Sequence, residues 1–250
     1  MSQLQTQVLV KEKQQFTTSL ARTDSEVREA QKLRYKVFAE EMGAKMPGQE
    51  ERIDQDRYDR YCDHLLVRDT DTNEVVGTYR ILSPDQAKKA GGYYSEGEFD
   101  LSRLDHLRDS MVEVGRSCVH ADYRSGGVIT LLWAGMAQYM VKNNYDYLIG
   151  CASISMADGG HNAANIYKQV KQDSMSPLEW RVFPSCALPV EALDDQAEVF
   201  LPPLIKGYLR LGAYVCGDPA WDPDFNSADL LVLLPMSRLN KRYAKHFLGK

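Results

Sequence analysis

The sequence has no CxxC pair, and its five cysteines (Cys62, Cys118, Cys151, Cys186 and Cys216) lie far apart. An odd, scattered set of thiols excludes a disulfide framework and a thiolate zinc site, and it fits a reducing cytoplasm. There is no HExxH, and the five histidines are dispersed, so no metal site is expected. No apolar run approaches the roughly 18 residues of a membrane span, and the opening MSQLQTQ lacks the basic and apolar regions of a signal peptide. A cytoplasmic location is expected, with peripheral contact at the inner membrane left open. Positive charge is also in deficit: Lys+Arg number 30 against 35 Asp+Glu, and a net charge of −5 argues against nucleic acid as a partner. Neither the G-x-G-x-x-G of dinucleotide folds nor a phosphate-loop G-x-x-x-x-G-K-[ST] is present, and there is no internal repeat.

What is present is an ordinary globular balance of 44% hydrophobic and 26% charged residues over 250 positions. A chain this long buries roughly 70–75% of its unfolded surface and folds without disulfides or metal. Residues 1–14 read as a polar tail, 15–237 as one domain with an insertion at 84–110, and 238–250 as a basic C-terminal helix. Phe16–Ala21 reads as a strand. Thr23-x-x-Glu26 then forms a capping box ahead of a helix reaching about Glu41. His64–Asp69 and Glu74–Leu82 read as a hairpin. A strand at 111–119, a helix at about 126–142, a strand at Tyr147–Ile154 and a short helix at Ala163–Gln172 follow, with strand signals at 180–183, 209–216 and 229–234. The order is α/β or α+β with a mixed central sheet.

The most informative stretch is MVEVGRSCVHADYRSGGVITLLW, residues 111 to 133. A strand running into Arg124-Ser125-Gly126-Gly127 and then a helix exposes free backbone N–H groups, a place for a phosphate or a polar carbonyl. Glycine at such a turn also has a purely steric explanation. Inside the strand, Glu113 and Arg116 are three apart and would point to opposite faces. A bulge, most easily at Gly115, would bring both to one cleft. Burying either charge unpaired would be costly, so they are an ion pair, an exposed edge or functional groups.

VGRSCVHADYRSGG resembles motif A of the GCN5-related N-acyltransferase (GNAT) fold, in which a bulged, splayed fourth strand binds pantetheine and the next turn cradles its phosphate. Together with Asp59 to Val67, VGTYRIL (76–82), YYSEGEFDLSRL (93–104) and LPPLIKGYLRLGA (201–213), it resembles the ornithine-lipid branch of that superfamily over about residues 28–235. The resemblance implies a lipid-biosynthetic L-ornithine N-alpha-acyltransferase that takes a 3-hydroxy fatty acyl group from acyl carrier protein. Phosphopantetheine then carries the co-substrate, and no separate cofactor is expected. Members of this branch are also labelled hemolysins, but nothing in the sequence supports pore formation. The acidic segment, the Arg after the hairpin and the E-x-x-R strand also resemble acyl-homoserine-lactone synthases; Asp56, Asp59, Arg80, Glu113 and Arg116 occupy those places. Arg124-Ser125-Gly126-Gly127-Val128-Ile129 departs from the R/Q-x-x-G-x-G/A of acetyl-CoA enzymes, which suits one carrier phosphodiester better than a pyrophosphate.

An α-amine is mostly protonated at pH 7, and a base that removes its proton contributes roughly 10²–10⁴-fold. Glu113 is the candidate base, and Arg116 either holds it or binds the acceptor carboxylate. Asp56, Asp59, Arg80 and Ser117 are candidate acceptor contacts, Asp56 and Asp59 being alternatively partners of Arg80 or part of a solvated acidic loop. Cys118, Val119, Arg124, Ser125, Gly126, Gly127 and Val128 are candidate pantetheine contacts, with oxyanion donors near Cys118–Val119. A Cys118 acyl-enzyme is not required. His120 and Asp122 are expected to shape the turn, and His161 and Asn162 to approach acceptor or pantetheine. Tyr93, Tyr94, Phe99 and Tyr208 are candidates to line an acyl channel, with ordinary core packing the favoured role for any single one. The tail holding Arg238, Lys241, Arg242 and Lys245 suits an anionic membrane or an acidic carrier. Acceptors such as glycine or lysine, an acyl-CoA donor, and a silent acyl-carrier or membrane-binding module remain alternatives.

Overall fold

The computed structural model describes residues 15–44, 50–193 and 199–240; the 1–14 tail and the 241–250 part of the basic C-terminal segment lie outside them. Strand β1 (Phe16–Leu20) leads into α1 (Asp24–Tyr35), which a π-helical turn extends over Lys36–Glu41. The expected capping box is formed: the Glu26 N–H donates to Thr23 Oγ1, and Glu26 accepts from the Thr23 N–H. Strands β2 (Asp63–Asp69) and β3 (Val75–Leu82) form the hairpin, and α2 (Pro84–Ala90) and the short β4 (Phe99–Asp100) belong to the insertion. Then come β5 (Met111–Val119), α3 (Gly127–Lys142), β6 (Tyr147–Ser155), α4 (His161–Asp173), β7 (Phe183–Pro184) and α5 (Pro203–Leu211). Strands β8 (Tyr214–Val215), β9 (Ala220–Asp222) and β10 (Ser227–Pro235) complete the sheet.

The main sheet runs β1-β2-β3-β5-β6-β10-β8, with β9 also on β10, and β4 pairs β7 apart from it. Every named pairing is antiparallel except β5 with β6. The expected bulged fourth strand is therefore β5, fourth in the order of the sheet. On one face α3 covers β2, β3 and β5 through Val128, Leu132, Met136 and Met140. Beside it, α4 and α5 cover β6 and β10. On the opposite face the insertion packs Tyr93, Phe99, Leu101 and Leu104 onto Ile149, Leu231 and Leu233. The 84–110 segment is thus a wall of the core, because its apolar side chains cover a sheet face that would otherwise meet water.

Two of the strand readings need correction. The 180–183 signal falls on a 3-10 turn (Leu178–Trp180) and only the start of β7. The 209–216 signal is split: Leu209–Leu211 end α5, and only Tyr214–Val215 is strand. Pro203 at the start and Gly212 (φ 105°) past the end are helix punctuation. The apolar run LRLGAYVC hid that boundary by crossing both elements.

Candidate active site

The bulge in β5 exists, one residue beyond the expected place. Gly115 pairs with Arg80 and Cys118 with Thr78, so Arg116 and Ser117 together oppose the single residue Tyr79. Arg116 takes φ 51°, a left-handed conformation that costs a non-glycine residue about 1 kcal/mol or more. The extra residue reverses the alternation. Val112 and Val114 face α3, as does Val119 beyond the bulge, whereas Cys118 packs against Leu33 of α1 and Val37 of the π-helical turn. Glu113 and Arg116 thereby reach the same side of the sheet.

The second device is a splay. Parallel pairing between β5 and β6 covers only Met111, Val112 and Glu113. Gly150 lies so close to β5 that a Cβ there would be 2.4 Å from the Val114 carbonyl oxygen, so only glycine fits. Beyond it the strands part, and residues 114–119 lose their strand partner on that side. A cavity of about 610 Å³ occupies the gap and passes from one face of the sheet to the other. Glu113, Arg116, Tyr94 and Asp229 are among its lining on the insertion face, and Trp133, Leu148, Tyr208 and Val232 on the helix face. Of the candidate channel residues, Tyr94 and Tyr208 line the cavity, whereas Tyr93 and Phe99 are core residues at 2% and 1% exposure.

Glu113 is buried, and its carboxylate accepts N–H bonds from Tyr94 at 2.5 Å and Ser95 at 2.9 Å. Burial raises its pKa above the ordinary value, partly offset by the Ser95 and Tyr94 bonds and by the Arg80 charge. Two N–H bonds leave further lone-pair sites on a carboxylate, so the group can still accept a proton.

Arg116 lies between the rings of Tyr94 and Phe225, 5.0 and 4.6 Å from their centroids. Its Nε is 3.2 Å from Asp54 and its Nη2 3.4 Å from Asp56. Arg80 pairs with Asp56 at 2.7 Å. Arg34, fully buried in α1, bonds Asp54 at 2.8 Å and Asp59 at 2.7 Å. Burial opposes charge on Arg34, but Asp54 and Asp59 outweigh it and hold its pKa above the ordinary value. Asp59 is likewise held low against its burial by Arg34, and its remaining oxygen accepts from the Asp56 N–H at 2.8 Å. The cluster therefore matches Arg34, Arg80 and Arg116 to Asp54, Asp56 and Asp59. Asp59 is enclosed in it, away from the cavity.

Ser117, Cys118 and Val119 line the cavity, as do Arg124 and Gly126 of the turn. Burial pushes the Cys118 thiol up to about 12, which keeps it protonated and unsuited to attack. Arg124 is tied to Glu41 at 2.5 Å and to the Val119 carbonyl at 3.0 Å. Gly126 (φ 101°) caps α3, whose first N–H groups have no partner within the helix; Ser125 and Gly127 beside it are not in the cavity wall. The Val128 side chain is core, 1% exposed, so only its backbone is available. His120 does shape the turn, accepting the Asp122 N–H at 3.3 Å. His161 and Asn162 instead hold the chain near Leu193 and Phe200 and are not part of the cavity wall.

The sequence reading missed Arg34, Asp54, Tyr94 as an Arg116 partner, Trp133 as cavity wall, and the Glu98–Asp229 pair. Asp229 alone carried a signal: it is the one charge in the otherwise apolar SADLLVLLP.

A splayed, bulged strand followed by a glycine-capped helix defines an acyltransferase of the GNAT class, and the acetyltransferase (GNAT) domain family matches residues 33–134. The chain is 37% identical over 244 residues to an L-ornithine N(alpha)-acyltransferase of Brucella abortus (strain 2308), covering 91% of this chain and 87% of that protein. It is 38% identical over 251 residues to the protein of that name from Agrobacterium fabrum (strain C58 / ATCC 33970), covering 93% and 85%. The chain belongs to the L-ornithine N(alpha)-acyltransferase family. The fold is shared with an N-acyl amino acid synthase from uncultured soil microbes (TM-score 0.56, 12% identity, 90% and 92% covered). It is also shared with the AHL synthase LasI (TM-score 0.52, 13% identity, 95% and 96% covered).

Proposed function

We propose that this enzyme transfers a 3-hydroxy fatty acyl group from the phosphopantetheine of acyl carrier protein to the α-amine of ornithine, forming a lyso-ornithine lipid. The observation that carries the reading is the cavity through the splayed sheet, with Glu113 and Arg116 on one face and an apolar wall on the other. The family membership supports the acceptor. The thioester enters along the free edge of β5, with its acyl chain toward Trp133, Leu148 and Val232 and its phosphate at the α3 N-terminus.

The acceptor amine, having given a proton to Glu113, attacks the thioester carbonyl, and a C–N bond forms as the oxygen becomes an oxyanion. Unpaired β5 N–H groups near Cys118–Val119 stabilise that charge. Collapse breaks the C–S bond; the pantetheine thiolate leaves and takes up the second proton, shed by the nitrogen as the amide forms, and Glu113 returns the first to solvent. No nucleophilic side chain takes part, consistent with the protonated Cys118. Arg124 is committed to Glu41 and Val119, so donor binding at the turn rests on backbone N–H groups, which suit one phosphodiester.

The test is incubation of the purified protein with 3-hydroxyacyl carrier protein, acyl-CoA or acetyl-CoA and a panel of amino acids including ornithine, glycine and lysine. Mass spectrometry should find N-acyl ornithine with the carrier-bound donor. Equal product from acetyl-CoA would overturn the carrier assignment, and product from glycine or lysine alone would overturn the acceptor.

A further inference from the structure

A second acidic group faces the cavity, away from the arginine cluster. Asp229 of β10 pairs in register with Ser153 of β6, and both line the cavity on the insertion face. Asp229 is 3% exposed, and its neighbour Ser227 donates to it at 3.2 Å. Glu98, just before β4, stands behind it; both Glu98 carboxyl oxygens are fully enclosed and accept no hydrogen bond. The Cys151 sulfur and one oxygen from each carboxyl lie within 4.8 Å of one another. No basic side chain among the described residues pairs with either acid. A buried carboxylate without a counter-cation is costly, and it persists where a ligand supplies the positive charge.

We propose that Asp229, backed by Glu98, is the subsite that receives the side-chain ammonium of the acceptor amino acid and so decides which amine is acylated. The inference rests on the acceptor reading above. Across the insertion face, the cavity wall runs from the cation Arg116 to the anion Asp229, with Glu113 also in the wall. A diamino acid matches that polarity with its carboxylate at Arg116 and its side-chain ammonium at Asp229. Its α-amine is then left for Glu113. Held as an ammonium against a carboxylate, the side-chain nitrogen has no lone pair for attack, so acylation goes to the α-position. The same residues could contact a metal ion. The Cys151 thiol, however, is raised well above its ordinary pKa by burial and by the Glu98 charge, and a protonated thiol is a poor ligand.

The experiment compares ornithine with norvaline, which has the same carbon chain without the terminal amine, using one acyl donor and the full chain. The wild-type enzyme should prefer ornithine in kcat/KM by about 10²-fold or more, as expected where a buried polar group would otherwise be left unpaired. Asp229→Asn should lower that ratio to below about 10, mainly through a higher KM for ornithine, and Glu98→Gln should lower it less. Calorimetric binding of ornithine and norvaline, without donor, should lose the same discrimination in Asp229→Asn and supplies the answer if turnover is lost. An unchanged ratio in both variants overturns the subsite while leaving ornithine as acceptor. Wild-type enzyme that acylates neutral amino acids and never ornithine overturns the acceptor reading and the subsite with it. Stoichiometric bound metal, with activity lost to a chelator, also overturns the ammonium assignment.

Discussion

Two buried charge clusters border the same cavity, and they are built on opposite plans. Between α1, the 54–59 segment and the bulge, Arg34, Arg80 and Arg116 are matched to Asp54, Asp56 and Asp59 by contacts of 2.7–3.4 Å. Between the insertion and β10, Glu98 and Asp229 lie together with hydroxyl and thiol neighbours and with the Asp222 carboxylate close enough to act on both. A balanced cluster satisfies itself and works as scaffold, holding Arg116 in its left-handed turn. An unbalanced cluster lowers its charge by holding a proton, or by taking a cation from a ligand. Among the acids, lacking an internal cationic partner is a better sign of function than proximity to the cavity; Arg116 belongs to the scaffold and still presents itself in the cavity wall.

The largest expected effect comes from breaking the balanced cluster. Arg34→Met leaves Asp54 and Asp59 buried without their main partner and should destabilise by about 3–5 kcal/mol, read from urea unfolding midpoints. A loss under about 1 kcal/mol would deny the cluster its scaffold role. Next, Glu113→Gln should lower turnover by about 10²-fold or more while the protein still folds. Because Glu113 is raised by burial, the wild-type acid limb of kcat/KM should lie above the usual carboxylate range, and the variant should lose that limb. An identical pH–rate profile in the variant would remove Glu113 as the base.

The unbalanced pair should show itself in the pH dependence of stability. Burial and the neighbouring Asp229 raise Glu98 from 4.5 to about 9, so between those values the folded state holds a proton that the unfolded chain has released. The stability linked to this carboxyl is present below the lower value and is lost as pH rises through the higher one. Glu98→Gln should flatten that decline, so that the variant loses less stability than the wild type toward pH 9. Thermal unfolding between pH 5 and about 9 checks this, and parallel curves would mean that the two carboxyls do not share a proton. The smallest effect is expected at the exposed Arg124–Glu41 pair. Arg124→Ala should change stability by less than about 1 kcal/mol and, on the proposal that backbone N–H groups hold the phosphate, leave donor KM within about threefold. A large rise in donor KM would transfer that role to the side chain.

Much of the fold was legible because it is local. The Thr23–Glu26 capping box, the hairpin at 63–82 and the strand–turn–helix of 111–142 follow from periodicity and punctuation, and each formed. The site was half legible. Glu113 and Arg116 stood out as charges in a strand, and Gly126 as a helix cap. Tyr93 and Phe99 took the core role favoured for them and Tyr94 and Tyr208 the channel role, a division that depends on neighbours no local pattern reveals. Asp59 looked like an acceptor contact for a similar reason, since nothing in its own segment announces Arg34 from a distant helix. Glu98 and Asp229 lie far apart in the chain, and only the packing of the insertion on β10 makes them a pair.

The sequence by itself determined the helices and strands up to residue 173, the strand that would carry an acid and a base, and the need for a bulge to unite them. Alternation with period two forces that last conclusion, since residues three apart cannot share a face of a regular strand. Tertiary structure decided where the bulge fell. Gly115 keeps its pairing with Arg80, while Arg116, anchored by Asp54 and Asp56 and held between Tyr94 and Phe225, takes the left-handed turn. Glycine was the easier place on backbone grounds alone, but long-range ion pairs and ring contacts outweigh a local penalty of about 1 kcal/mol.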